Sequence, residues 1–449
     1  METLSPPQSL HPVLLNNCTR EELDQYFCNT WELYDWLFSS IKDESTYYIN
    51  PDPLRHPLIF YWGHTAAFYI NKLILAGLLK EGINEYYEDI FAKGVDPDLP
   101  ENLETQSKWP NLADVDAYRK TVYNVVREVI ATTPLEYPIN EKSALWALFM
   151  GLEHDRIHFE TSSVLIRQAP AHLLQRPDGW EYAVSSNTNI PENKLIRVEG
   201  GKVSLGKPQD STIYGWDNEY GSLEVEVKPF EATQNLISNQ EYLEFVRSGA
   251  YSKKQYWTAE GWNWKQRTNT KHPKFWVIDK TTFNYRAMFD VVYMPLDYPV
   301  EVNAHEAWAY CKWKGDEWRL LSEAEFMFIA KEGRSDDYDP VFDASAHNLN
   351  MFIGSPTPVG QMKEGQTVSG FNDIYGNVWD WLKDDWYALP DFKTHPWYTD
   401  FSEPYFDTEH SMMLGGAWAT TGTGASRFYR LWFRREFYQH AGFRMAKNA

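Results

Sequence analysis

The chain has 449 residues and a formal net charge of -21, with 20 Trp, 28 Tyr and 24 Phe. This length predicts two or three domains, and the acidic balance argues against nucleic acid and anionic membranes as partners, because both require clustered Lys and Arg. Three cysteines, Cys18, Cys28 and Cys311, lack metal-ligand spacing, which excludes a disulfide scaffold and indicates a reducing compartment. No apolar run fits a signal peptide or a membrane helix, so we predict a cytoplasmic protein.

Four long amphipathic segments occupy the first part of the chain and predict a four-helix bundle. The segments cover residues 19–41, 64–79, 113–133 and 140–168. Thr19 and Glu22 are spaced as a capping box at the start of the first segment, and Asn140 is predicted to open the last helix.

The polar run AVSSNTNIPENKL separates the helical part from a region of short strands, glycines and tryptophans. In that region the sequence predicts only two helices, NAHEAWAYCKWKG and SEAEFMFIAKEG. Each begins with a capping box, formed by Asn303 with Glu306 and by Ser322 with Glu325. We therefore predict a helical bundle in residues 1–182, a linker in 183–195 and a second domain in 196–449.

His154 and His158 lie four positions apart in the last predicted helix, so both imidazoles face the same side and can bind one metal ion. The second helix adds His64 in an apolar stretch, where an unpaired imidazole is costly to bury. Three histidines suit zinc or iron(II) and leave open coordination positions; ordinary hydrogen-bonded histidines are the alternative. The run HDRIH also approaches the zinc-protease pattern H-E-x-x-H, but Asp155 is poorly placed and too short for the general base.

The second half of the chain contains several motifs in a fixed order: AYCKW, RLLSEAEF, GNVWDW, GGAW and GFR. This series resembles the formylglycine-generating-enzyme or sulfatase-modifying-factor domain, which has a C-type-lectin-like fold. The departures from the family's usual motifs are mild and fall at Leu321, Ser322, Phe326, Asp380 and Ala417. Formylglycine generation is not expected, because it needs paired copper-binding cysteines near the C-terminus and no cysteine follows Cys311.

A DinB-like bundle with three histidines, fused to such a domain, resembles the sulfoxide synthases of ergothioneine and ovothiol biosynthesis. The resemblance covers essentially the whole chain and is sharpest in NPDPLRHPLIFYWGHTAAFYINKL, GLEHDRIHFETSSVLIRQ, HPWYTDFSEPYFD and FYQHAGFR. It implies an α+β multidomain fold, with a DinB-like four-helix bundle followed by the lectin-like domain. It also implies that His64, His154 and His158 hold a non-haem iron(II), and that Tyr398 is the catalytic proton donor, whose loss favours thiol dioxygenation.

The resemblance implies that cysteine, an imidazole and O2 react to form a C–S bond and a sulfoxide. Arg430 and Arg434 are predicted to pair with amino-acid carboxylates, which fit a guanidinium fork. Trp432 lies where the ovothiol pattern would have histidine, and an indole face suits a quaternary ammonium. Together with the absence of a methyltransferase segment before Ala449, this favours hercynine, the trimethylated histidine, over plain histidine. Phe401 lies where some ergothioneine-type relatives have a second tyrosine.

Three other interpretations stay open at this stage. The chain could be an ovothiol-type enzyme that joins histidine to cysteine, a non-catalytic lectin-like binding module, or a thiol-dependent zinc hydrolase or transferase. The sulfur donor could be cysteine or γ-glutamylcysteine. The run NDIYGN could also supply oxygen atoms to a structural Ca(II) ion, although Asn-Gly turns are common without one.

Overall fold

A computed structural model describes residues 7–94, 103, 108–187 and 190–449 of the chain. Its first part is a bundle of four long helices with one short helix between them. The helices are α1 (Arg20–Phe38), α2 (Leu58–Leu75), α3 (Glu85–Ile90), α4 (Leu112–Thr132) and α5 (Trp146–Gln168). In the described part of the chain, no helix has the length and apolar character needed to span a membrane.

The predicted N-terminal cap is present at α1 and absent at α5. The capping box of Thr19 and Glu22 is present at α1. The prediction that Asn140 opens the last helix is wrong, because α5 begins at Trp146 without a side-chain cap. Asn140 instead accepts a hydrogen bond from the backbone N–H of Lys142 at 3.0 Å. This local turn competes with the helix and delays its start.

The second part of the chain combines short helices with four small sheets, which confirms the predicted order of a helical bundle and then an α+β domain. The helices are α6 (Asn239–Arg247), α7 (Ala259–Thr268), α8 (Ala304–Lys314), α9 (Glu323–Ala330) and α10 (Ala344–His347). The capping boxes predicted for α8 and α9 are present. Helices α6 and α7 were not predicted, although Ser238 and Glu241 form a capping box at α6.

The strands are short and pair mostly with partners that are distant in sequence. They are β1 (Leu195–Val198), β2 (Gly201–Leu205), β3 (Leu223–Val227), β4 (Phe230–Thr233), β5 (Trp276–Asp279), β6 (Thr282–Arg286), β7 (Val291–Tyr293), β8 (Arg319–Leu320), β9 (Trp379–Asp385), β10 (His410–Leu414), β11 (Leu431–Arg434), β12 (Ala441–Gly442) and β13 (Met445–Asn448). The four sheets have the orders β1-β4-β13-β8, β11-β10-β9-β12, β2-β3 and β5-β6-β7. Such non-local pairing cannot be derived from periodicity.

Helix α5 is the central element, because it packs against α1 and α2 on one side and against the second domain on the other. Two of its buried acidic residues receive hydrogen bonds from the second domain. Glu153 accepts hydrogen bonds from the Tyr26 hydroxyl at 2.8 Å and from the Thr423 backbone N–H at 2.6 Å. Glu160 accepts from the Trp379 indole at 2.6 Å and from the Thr420 hydroxyl at 2.8 Å. The two domains therefore share one continuous interior along α5.

Arg167, near the end of α5, forms a bidentate ion pair with Glu301 of the second domain. The two N–O distances are 2.6 and 2.8 Å, and both side chains are 1% exposed. Burial alone would raise the pKa of Glu301, but Arg167 and His440 outweigh burial and lower the pKa to about 2. This pair is a buried electrostatic connection between the domains.

We expect Arg167→Met to lower the free energy of unfolding by about 3–5 kcal/mol, because it leaves a buried carboxylate unpaired. A carboxyl with a lowered folded pKa stabilises the protein above its unfolded pKa and loses that contribution as pH falls through the folded value. Urea unfolding should therefore show the largest difference from wild type near neutral pH and a smaller one below about pH 3. The matched control is Lys312→Met, since Lys312 forms an exposed pair with Asp316 and should change stability by less than about 1 kcal/mol. A loss that small in Arg167→Met would contradict the prediction.

Candidate metal centre

The three predicted histidines lie on the two helices that face each other across the bundle core. His64 is in the middle of α2, and His154 and His158 are one turn apart on α5; all three are buried. The helices approach closely because α5 has a glycine at the crossing. A Cβ atom at Gly151 would lie 2.4 Å from the ring of Tyr69 on α2. The close crossing brings the imidazoles within reach of one another.

The geometry of the three imidazoles fits one metal ion. One ring nitrogen from each of His64, His154 and His158 lies within 4.8 Å of the other two. The Nδ1 of His64 pairs with the Phe91 carbonyl oxygen at 2.5 Å, so that the N–H donates there and Nε2 keeps its lone pair. Both ring nitrogens of His154, and Nδ1 of His158, are buried without a hydrogen-bond partner. Unpaired buried nitrogens are costly, and a metal ion would bind one nitrogen of each ring.

The electrostatics of the cluster also favour metal binding over proton binding. Burial lowers the pKa of His64 to about 4, and burial together with the neighbouring imidazoles lowers the pKa values of His154 and His158 well below the usual range. The imidazoles are therefore neutral, as a metal ligand must be. Among the described residues, no carboxylate or thiol joins this cluster.

Asp155 does not serve the cluster, although it is adjacent to His154 in sequence. The side chain is 1% exposed and not facing solvent, and burial raises its pKa to about 7. Its charge acts on the buried hydroxyls of Tyr34 and Tyr69 and on Arg119 rather than on the histidines. The structure therefore gives no support to a zinc-protease general base at this position.

Tyr398 reaches the cluster from the second domain, on the loop between β9 and β10. Its ring centroid lies 6.0 Å from that of His154 and 5.1 Å from that of Phe68, which stacks on His154 at 3.5 Å. Burial raises the pKa of Tyr398 above its usual range, so the hydroxyl keeps its proton at neutral pH. Phe401 lies beside it, with ring centroids 5.1 Å apart.

A cavity of about 150 Å³ opens beside His158 and Tyr398, at the domain boundary. Aromatic rings and a few charged side chains form much of its wall: Asp52, Arg55, Tyr61, Asp400, Phe401, Tyr405, Tyr429, Arg430, Trp432, Phe433, Phe437 and Tyr438. Such a wall suits a small ligand with a flat or cationic part.

The three residues predicted to bind substrate differ in their position relative to the cavity. All lie on or beside β11, where period-two alternation puts Arg430, Trp432 and Arg434 on one face. Trp432 lines the cavity, but one face of its indole is covered by Tyr405, with ring centroids 4.0 Å apart. Arg434 contacts Glu409 and is absent from the cavity wall.

Arg430 borders the cavity, yet its guanidinium is already used inside the second domain. Its Nε and Nη2 donate to the Glu323 carboxylate at 2.7 and 3.1 Å, and Nη1 donates to the Asn218 carbonyl at 3.0 Å. The side chain is only 4% exposed. The expectation that Arg430 pairs with a substrate carboxylate therefore needs correction, since Glu323 occupies the guanidinium fork.

Sequence reasoning missed Arg55, which lines the cavity just before α2. Its guanidinium carbon lies 4.1 Å from the ring centroid of Phe437, and its charge acts on His158. The signal was available in NPDPLRHPLIFYWGH, where a cation precedes the helix that carries His64.

Several polar atoms of the NDIYGN run already have protein partners, but Oδ1 of Asp373 is buried without a hydrogen-bond partner. Arg444 Nη2 donates to the carbonyl oxygens of Asn372 and Asp373 at 3.0 and 2.9 Å. The Oδ2 atom of Asp373 accepts the Gly360 backbone N–H at 2.7 Å. Arg444 thus uses two backbone carbonyl oxygens of this run, and the suggested Ca(II) site stays a prediction.

Two family profiles match this chain. The profile described as sulfatase-modifying factor enzyme 1-like domain matches residues 181–449, and that of the DinB superfamily matches residues 26–162. The DinB match contains all three clustered histidines. His64 lies about ninety residues before the other two in sequence.

Three relatives are similar to the chain over most of its length. "Ergothioneine biosynthesis protein 1" of Schizosaccharomyces pombe is 25% identical, covering 92% of this chain and 55% of the relative. The protein of the same name from Neurospora crassa is 22% identical, covering 93% and 57%. "Hercynine oxygenase" of Mycolicibacterium smegmatis is 25% identical, covering 90% and 94%. The chain thus spans little more than half the length of the two fungal relatives.

Proposed function

Because this chain belongs to the family of proteins with a sulfatase-modifying factor enzyme 1-like domain, and a DinB-type bundle precedes that domain, we propose that it is an iron(II)- and O2-dependent sulfoxide synthase. It would join the imidazole of hercynine to the sulfur of cysteine. The observation that carries the proposal is the cluster of His64, His154 and His158, in which buried nitrogens of the two histidines on α5 lack partners, beside a tyrosine from the other domain.

The reaction balances with one O2 per product. A C–H bond of the imidazole and the S–H bond of the thiol break, and a C–S bond forms. One oxygen atom goes to sulfur, and the other leaves as water with the two hydrogens. O2 accepts four electrons in total. An iron(II) ion held by the three histidines would supply the redox chemistry that allows O2 to react with these closed-shell substrates.

The residues of the chain would contribute position, charge balance and a proton. The neutral imidazoles add no negative charge, so an anionic thiolate can approach the site. Tyr398 keeps a proton near the reacting atoms, because burial raises its pKa. Both substrates would share the cavity between the domains, where proximity replaces a bimolecular encounter. Arg55 would face a substrate carboxylate in place of Arg430.

Hercynine is favoured over histidine by the character of the cavity and by the relatives. The trimethylammonium group has no N–H to donate and is attracted to aromatic faces and to negative charge. The wall offers both, through the aromatic side chains and the carboxylates of Asp52 and Asp400. Two relatives, which cover 92% and 90% of this chain, are named for ergothioneine biosynthesis and for hercynine.

The experiment is anaerobic loading with iron(II), followed by turnover in air with cysteine and either hercynine or histidine. The products are identified by mass spectrometry and O2 consumption is recorded. We expect sulfoxide from hercynine; equal or faster turnover of histidine would refute the choice of substrate. Zinc-supported turnover without O2 would indicate a hydrolase or transferase instead. γ-Glutamylcysteine serves as the second sulfur donor in the same assay.

We expect Trp432→Leu to raise KM for hercynine on the order of tenfold, because a cation–π contact contributes about 0.5–2 kcal/mol. KM for cysteine should change less than twofold. Steady-state kinetics with each substrate varied in turn measure both values. The matched control is Trp262→Leu on α7, since Trp262 does not line the cavity. Equal effects on both KM values would contradict a role in binding the ammonium group.

A further inference from the structure

Lys72 connects the metal-binding helix to the loop that carries Tyr398. It lies on α2 two turns after His64, with Phe68 midway, so the three side chains form one stripe along the helix. The first is a member of the histidine cluster. The second stacks on the ring of His154, with centroids 3.5 Å apart and an interplanar angle of 6°. The third leaves the bundle and contacts the second domain.

The ammonium group of Lys72 makes two kinds of contact with the loop. Its Nζ donates a hydrogen bond to the Trp397 carbonyl oxygen at 2.6 Å. The same Nζ lies 4.1 Å from the ring centroid of Tyr398 and 4.8 Å from that of Phe68. A cation against an aromatic face is attracted to it, and more strongly where water is partly excluded. One side chain thus holds both the backbone before Tyr398 and the ring itself.

These contacts matter because the loop itself has little regular structure to fix it. Between β9 and β10 the backbone around Tyr398 makes turn-type hydrogen bonds, such as Tyr398 N–H to the His395 carbonyl at 3.0 Å, and the His395 N–H donates to Asp217 Oδ2 at 3.3 Å. Tyr398 and His154 come from different domains, so no common helix or sheet fixes their distance. A contact that starts on the helix of His64 and ends on the loop supplies a direct distance constraint between the two.

We propose that Lys72 is a positioning residue, which holds Tyr398 at the metal centre and so directs the reaction to C–S bond formation instead of oxidation of the thiol alone. This rests on the proposed function. The competing reaction adds both atoms of O2 to the thiol and gives the sulfinic acid, with no bond to the imidazole. When Tyr398 is misplaced, its proton is no longer available at the reacting atoms, and the thiol reacts alone.

Lys72 is suited to this role because the ammonium is partly buried. Burial lowers its pKa to about 8, and the nearby Asp400 acts in the opposite direction. The group is thus held out of bulk water between two aromatic rings and a carbonyl oxygen, where a methylene chain alone would offer no comparable attraction. Arginine keeps the positive charge, donates hydrogen bonds and stacks on aromatic faces, which provides a variant that preserves the charge.

The test compares Lys72→Met and Lys72→Arg with wild type and with Lys120→Met, which removes an exposed lysine from α4. In Lys72→Met we expect the ratio of sulfinic acid to sulfoxide to rise about tenfold, the change that corresponds to about 1.4 kcal/mol. In Lys72→Arg and Lys120→Met it should stay within about twofold of wild type. Hydrogen exchange of the metal-free proteins should show faster exchange at residues 397–401 in Lys72→Met alone.

A wild-type product ratio in Lys72→Met would overturn the proposal, even if the loop exchanges faster, because Lys72 would then be merely structural. An equal rise in Lys72→Arg would also overturn it, since the positive charge would not be the cause. If wild type itself forms no sulfoxide, the proposed function fails instead. In that case the hold of Lys72 on the loop is judged from hydrogen exchange, and unchanged exchange in Lys72→Met refutes it. Lys72→Gln replaces Lys72→Met if the latter does not fold.

Discussion

His154→Ala is expected to lose tight iron binding and to lower sulfoxide formation by more than about 100-fold, since even the outer partners of metal ligands affect affinity or activity by 10–100-fold. The ring of His154 is central to the cluster, because its centroid lies 5.0 Å from that of His64 and 4.4 Å from that of His158. The two imidazoles that remain are too few to hold the metal ion tightly. Metal analysis after desalting and O2 consumption with hercynine and cysteine measure the two effects.

The control for His154→Ala is His172→Ala, which removes an exposed histidine after α5. The control should bind iron and turn over like wild type. Circular dichroism establishes that both variants are folded. The alternative of a non-catalytic binding module predicts no loss in either variant, so retained iron and O2 consumption in His154→Ala would refute the metal centre assigned to this cluster.

The histidine pair on α5 could be predicted from sequence because the information is local. Four positions on a helix fix the relative directions of His154 and His158 whatever the rest of the chain does. Adding His64 required only that α2 and α5 face each other, which the bundle provides and which Gly151 makes close. The structure brings these three residues together as expected.

Other features depended on contacts between residues far apart in sequence. Arg430 was expected to bind substrate, but Glu323, which is 107 positions away, takes its guanidinium. The carbonyl bound by Lys72 is 325 positions away. Neither partner can be found from spacing or periodicity, because β11 and the loop of Tyr398 are placed by non-local strand pairing and by domain packing.

The burial of the polar face of α5 also could not be predicted from sequence. Its sequence has acidic and basic residues on the side opposite the apolar stripe, which usually indicates a solvated face. Here that face is covered by the second domain, and Glu153 and Glu160 are buried there with hydrogen bonds from Thr423, Trp379 and Thr420. A polar helix face at a domain boundary and one in water look alike in sequence, although only the buried one needs a partner for each polar atom.

Tyr398→Phe is expected to lower the rate of C–S bond formation by about 100-fold, the lower end of what a positioned proton donor contributes, while O2 consumption continues. The ring and its packing against Phe68 are kept, so that only the hydroxyl is lost. Without that proton, the thiol should be oxidised alone, and sulfinic acid should become the main product. Mass spectrometry of the products with simultaneous O2 measurement separates a change of pathway from a general loss of activity.

The pH dependence gives an independent check of the role of Tyr398. Because burial raises the pKa of this phenol above its usual value of about 10, the wild-type product ratio should not change through loss of the tyrosine proton below about pH 10. The matched control for Tyr398→Phe is Tyr293→Phe, since Tyr293 is 89% exposed and should keep the wild-type ratio.

Phe401 allows a rescue experiment, since its ring centroid is 5.1 Å from that of Tyr398. If the missing hydroxyl is the cause, Phe401→Tyr in the Tyr398→Phe background should restore part of the sulfoxide, whereas an unchanged product ratio in Tyr398→Phe would rule out Tyr398 as the proton donor.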